Sequence, residues 1–168
     1  DRLQDTAESH DRVMVLELMG RDAGWIALHA AIAGAAHVCL IPEIPYRIQP
    51  IVAKILERRA SGKPFSLVVV SEGARPADGE QSFAGPRELG RMPKLFGAGS
   101  RLACALEPLL DLEVRVTVLG HLQRGGSPSL FDRILGTRFG VAAVDAVAAG
   151  NWGHMVALRT PDIVVVPI

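Results

Sequence analysis

Three short segments of this chain gather residue types that could do chemistry. The first is Arg115-Val-Thr-Val-Leu-Gly-His121-Leu-Gln-Arg124-Gly-Gly-Ser-Pro, an apolar stretch running into a loop with a histidine, an arginine and two glycines. Arginine presents planar, paired N–H donors that match phosphate oxygens. Gly125 and Gly126 permit a sharp turn or a close backbone approach to an anion. The plainer reading is a glycine-rich turn with two exposed basic residues. The second segment, Met19-Gly20-Arg21-Asp22-Ala23-Gly24-Trp25, also follows an apolar stretch and leads into a helix. Free N–H groups and the dipole at a helix start attract anions, and Arg21 adds charge there. Alternatively Arg21 pairs with Asp22 or another carboxylate, and Gly20 serves only the turn. The third is Ser71-Glu72-Gly73, whose carboxylate can accept hydrogen bonds from sugar hydroxyls or pair with a nearby arginine.

Other chemistry finds little footing. The serines lack a recognisable histidine and acid partner for nucleophilic hydrolysis. His10 and His37 carry no ligand spacing, and His29 and His154 read as packing or surface residues. Cys39 and Cys104 show neither metal-ligand spacing nor a disulfide framework, and both read as buried small hydrophobes in a reducing compartment. The 18 basic and 18 acidic residues balance, so global charge points neither to nucleic acid nor to an anionic membrane surface. No stretch reaches the roughly 20 apolar residues that span a bilayer. A cytoplasmic protein is the expectation.

These segments need elements to hold them in place. The 168 residues, 49% hydrophobic, suit one domain with a sizeable core, covering 1–168. Val13 to Leu18, His37 to Ile41, Ser66 to Val70 and Arg115 to Leu119 read as buried strands. Helices are expected over Gly24 to Ala33, with Gly34 as its stop, and over Gln49 to Ala60, Ser100 to Leu110 and Phe131 to Ala148. His154 to Val166 reads as two strands turning near Pro161-Asp162, and Gly73 to Gly99 as a long surface loop. Alternating strands and helices predict an α/β fold: a mostly parallel sheet with crossover helices, covered on both faces. The polar opening run and the final apolar run read as cuts through a longer protein.

Ligands in such sheets bind beyond the carboxyl ends of the strands. Arg21, Glu72, His121 and Arg124 all follow strand ends, so they are expected at one edge. Arg12 precedes the first strand and Arg115 begins the fourth. A six-residue strand is about 20 Å long, which puts these two at the opposite edge. They are structural, or they serve a site on a neighbouring subunit.

The runs VMVLELMGRDAGWIALHAAIAGA, IPEIPY, VVVSEGA and RVTVLGHLQRGGSPSLFDRILGTRFG resemble the C-terminal half of 6-phosphofructokinases, bacterial members of the mixed ATP/pyrophosphate group. The resemblance implies that Met19, Gly20 and Arg21 touch fructose 6-phosphate, with Arg21 near the transferring phosphoryl. It implies that Glu72 binds sugar hydroxyls and that His121 and Arg124 hold the 6-phosphate. Arg12 and Arg115 would reach that phosphate from a neighbouring subunit of a homo-oligomer, dimer or tetramer. The family's donor site for ATP or pyrophosphate, its magnesium-binding aspartate and its general base have no counterpart in these residues, so the chain alone is expected to be inactive; the alternative reading is a non-catalytic sugar-phosphate-binding module. Where allosteric members carry charged effector-site residues, this chain has Gln4, His37 and Ser61, with Lys63 still basic.

Overall fold

A computed structural model describes residues 2–82, 95 and 97–168. The chain divides into two compact units, Asp1–Arg124 and Gly125–Ile168. The first unit holds α1 (Arg2–Ser9), β1 (Val13–Leu18), α2 (Trp25–Ala33), β2 (Val38–Leu40), α3 (Ile48–Ala60), β3 (Ser66–Ser71), α4 (Ala98–Leu106) and β4 (Val114–Val118). The second holds α5 (Leu130–Ala148) and the strands β5 (His154–Arg159) and β6 (Asp162–Pro167).

The four strands of the first unit form a parallel sheet in the order β2-β3-β1-β4. This is the expected α/β architecture. Val and Leu predominate in the central strands β1 and β3, which are covered on both faces: Val13, Val15, Val68 and Val70 are fully buried in one cluster with Leu102 and Leu106 of α4 and Ile55 of α3. Leu18 and Val69 pack with Ala27 and Ala31 of α2 on another.

Register decides where the chemistry falls. Leu18 stands beside Ser71, and Glu17 stands between Val70 and Val118. The residues following β1, β3 and β4 therefore emerge level at one edge. At the other end Val13 pairs with both Ser66 and Val114.

Several local expectations shift. The polar opening run, for which the sequence pattern predicts no element, is helical over Arg2–Ser9, and it docks because Ala7 is fully buried against Met14 and Leu67. One buried alanine and a half-buried Leu3 make too weak an apolar pattern to show in eight residues. The helix expected over Ser100 to Leu110 begins at Ala98 and tightens into a 3₁₀ turn at Glu107–Leu109, where Pro108 cannot donate to the α-helical ladder. The loop after β4 contains a 3₁₀ turn, Gly120–Arg124. Cys39 is half-buried and Cys104 is exposed, so the expectation that both are buried fails. Cys104 lies on α4 next to the buried Ala103, on the face turned away from the sheet. Of the expected loop Gly73 to Gly99, residues 83–94 and 96 lie outside the described residues.

In the second unit β5 and β6 form an antiparallel hairpin turning at Thr160–Pro161, a cis bond. Ser129 caps α5 by accepting from the Asp132 N–H, while the Asp132 carboxylate accepts from the Ser129 N–H. Among the described residues no helix is long and apolar enough to cross a membrane.

Candidate active site

Gly20 carries φ +144°, and a Cβ there would sit 2.5 Å from Ser71 Oγ and 2.7 Å from the Ala23 carbonyl. Only glycine fits this crossing of the β1 and β3 ends. Ser71, fully buried, donates its hydroxyl to the Gly20 carbonyl at 2.6 Å. Gly73 donates its N–H to the same carbonyl at 3.0 Å. Glu72 Oε1 accepts from the Gly20 N–H at 3.2 Å. Gly73 permits the approach as well, since a Cβ there would lie 1.9 Å from the Arg21 carbonyl oxygen.

Two glutamine side chains complete the brace. Gln81 Nε2 donates to the carbonyls of Arg21, at 3.2 Å, and Gly73, at 3.0 Å. Gln123 Oε1 accepts from the Met19 N–H at 2.8 Å. The backbone of Met19–Arg21 is thus tied at each residue to β3 or to the segments that follow β3 and β4.

These segments surround an open cavity of about 670 Å³. Met19, Gly20, Arg21, Glu72, His121 and Arg124 all line it, together with Gln123 and the apolar Ile26 and Leu95. Two arginines and a histidine around one carboxylate suit a ligand with an anionic end and a hydroxyl-bearing body. Among the described residues no group of three or more His, Cys, Asp or Glu side chains could hold a metal ion.

Arg12 and Arg115 lie elsewhere. Both pair with Glu113, Arg12 through Nε to Oε2 and Arg115 through Nη2 to Oε1. They sit together at the amino-terminal edge of the sheet, as their strand positions predict, and do not line the cavity.

Sequence reasoning missed Ser71, Gln81 and Gln123 as site residues. Gln123 had a signal, a polar residue between His121 and Arg124. Gln81 had none, because its partners are sixty and eight positions away. His37 also proves occupied: its N–H donates to the Leu67 carbonyl and its Nδ1 accepts from the Leu67 N–H, both at 2.9 Å. Burial, then the nearby Arg58, Lys63 and Lys54, push its pKa down to about 4.

Residues 1–147 match the family model described as phosphofructokinase. The chain belongs to the phosphofructokinase family. The ATP-dependent 6-phosphofructokinase of Chloroflexus aurantiacus is 55% identical over 168 residues, covering 100% of this chain and 46% of that protein. The yeast phosphofructokinase structure from Saccharomyces cerevisiae superposes with a TM-score of 0.81 at 31% identity, over 99% of this chain and 21% of that one. A pyrophosphate-dependent phosphofructokinase from Marinobacter aquaeolei gives 0.72 at 25% identity, over 99% and 41%. This phosphofructokinase chain spans about half the length of the curated relatives it matches.

Proposed function

We propose that this chain is the fructose 6-phosphate-binding portion of an ATP-dependent 6-phosphofructokinase, a cytoplasmic glycolytic enzyme. The observation that carries the reading is the convergence of Arg21, Glu72, His121 and Arg124 on one cavity at the carboxyl edge of the sheet. His121 and Arg124 hold the 6-phosphate, Glu72 accepts from sugar hydroxyls, and Met19 and Gly20 line the floor. Arg21 is the catalytic member, neutralising charge on the phosphoryl group as it passes to the sugar 1-hydroxyl. In that step the O1–phosphorus bond forms, the bond to the donor's bridging oxygen breaks, and a base outside these residues takes the hydroxyl proton. ATP, and the magnesium that the reaction uses, bind on the remainder of the longer enzyme. ATP is preferred as donor because the 55%-identical relative is named ATP-dependent. Pyrophosphate is the second reading, favoured by the likeness to a pyrophosphate-dependent structure at 25% identity. Arg12 and Arg115, at the opposite edge, serve the 6-phosphate of a neighbouring copy in a homo-oligomer.

The test is steady-state kinetics of the full-length enzyme with each donor. His121→Ala and Arg124→Ala each remove a contact to a charged group, costing about 1.5–3 kcal/mol. The expected KM for fructose 6-phosphate rises on the order of tenfold to a hundredfold. An unchanged KM in both variants would remove the phosphate role.

A further inference from the structure

We propose that Gln123 is a positioning residue: it couples the turn that bears His121 and Arg124 to the backbone that carries Arg21. The inference rests on the function proposed above and extends it to a residue given no role there. Pairing of β1 with β4 ends at Glu17 and Val118. The Met19 N–H lies two residues beyond that pair, and its acceptor is a side chain rather than a strand carbonyl. Gln123 Oε1 supplies its acceptor at 2.8 Å, reaching back 104 positions from the 3₁₀ turn Gly120–Arg124. A half-buried backbone N–H left without an acceptor is costly, so this bond holds both segments.

The other ties on this loop come from a different side. Ser71, Glu72 and Gln81 all belong to β3 or the segment after it. Among these side-chain bonds to Met19–Arg21, Gln123 alone belongs to the anion-binding turn. An anion drawn onto His121 and Arg124 fixes that turn, and Gln123 passes the constraint to Met19. Binding of the phosphate end and aim of Arg21 at the reacting end thereby become one event, and small misplacements at a reacting centre are expensive.

The experiment compares Gln123→Met and Gln123→Glu in the full-length enzyme with fructose 6-phosphate and ATP, alongside melting temperatures. Methionine keeps the reach and volume but has no oxygen acceptor; kcat is expected to fall about tenfold or more. Glutamate keeps an acceptor for the Met19 N–H but sets a negative charge beside the anion site. Its kcat is expected to stay within about twofold, while KM for fructose 6-phosphate rises about tenfold. A purely structural role would lower the melting temperature without this split. Equal kcat losses in both variants, or a wild-type kcat in Gln123→Met, overturn the proposal. Should Gln123→Met not fold, Gln123→Glu decides: retained kcat with raised KM supports it, and lost kcat overturns it. A wild-type enzyme without fructose 6-phosphate-dependent turnover would remove the functional reading itself, and this inference with it.

Discussion

Ala35 closes α2 with a φ of +48°, a left-handed conformation in a residue that has a Cβ. The Ala36 N–H donates to the Ala31 carbonyl at 2.8 Å and the Ala35 N–H to Ile32 at 3.3 Å, the paired bonds of a left-handed helix terminus. The glycine suited to that position is one residue early, at Gly34, where φ is −91°. Ala35→Gly relieves the Cβ clash, less some unfolded-state entropy, and is expected to stabilise by about 0.5–1 kcal/mol. A lower urea midpoint than wild type would contradict this. His37 makes stability depend on pH. Its folded pKa is about 4 against an ordinary 6.5, so the unfolded chain takes up the proton first. The contribution of neutral His37 is whole above pH 6.5, is lost as pH falls from there through 4, and is flat below. Solvent screening at this part-exposed site trims its size. His37→Asn keeps a side-chain acceptor and cannot titrate, so its urea midpoint should fall less between pH 7 and 4.5. Parallel curves for the two proteins would show that His37 is not the sensor.

α4 meets β1 through a buried carboxyl group. Glu17, 3% exposed, accepts from the Gly99 N–H at 2.7 Å. The helix has no side-chain cap of its own, its N-cap being Gly97, so a carboxylate on a neighbouring strand takes that role. Gly99 is small enough to let it approach; a Cβ there would meet Glu17 Oε2 at 3.1 Å and Val116 Cγ1 at 3.0 Å. Glu17→Ala orphans a buried N–H and is expected to cost about 1–3 kcal/mol. Glu17→Gln keeps an acceptor and should recover most of that. Equal urea midpoints for the two variants would show that the cap bond contributes nothing. The same element explains why Glu17 is tolerated inside an otherwise apolar strand: a strand residue is defined by what packs over it, here a helix start.

Across the whole molecule, burial is uneven. No side chain of residues 125–168 is buried, and Phe131, Ile134, Val141 and Val144 of α5 stand exposed. A formal charge of zero with an isoelectric point near 7.1 gives little repulsion to offset such apolar surface. The chain on its own is expected to self-associate most near pH 7, and light scattering that stays flat from pH 6 to 9 would rule this out. It is also expected to show no phosphoryl transfer with ATP or pyrophosphate, because the one carboxylate lining the cavity among the described residues, Glu72, is engaged with Gly20 and assigned to sugar hydroxyls. A coupled assay with fructose 6-phosphate and magnesium checks it. Turnover abolished by Arg21→Ala would mean that a donor site lies within these residues.

The parallel sheet, its strand positions and the edge bearing Arg21, Glu72, His121 and Arg124 were all legible in the amino-acid order. Continuous apolar runs mark strands covered on both faces, and a polar residue just past such a run must lie at the strand's carboxyl end. The same reasoning placed Arg12 and Arg115 at the far edge, although their shared partner Glu113 could not be foreseen. What pattern could not reach were contacts between residues far apart in the chain. Ser71 and Gln81 on Gly20 and Arg21, Gln123 on Met19 and Glu17 on Gly99 each pair residues more than fifty positions apart. Periodicity reports which face of an element is buried, but a hydrogen-bond partner is chosen by register and loop path. Those depend on the packing of every element at once, so only the folded chain decides them.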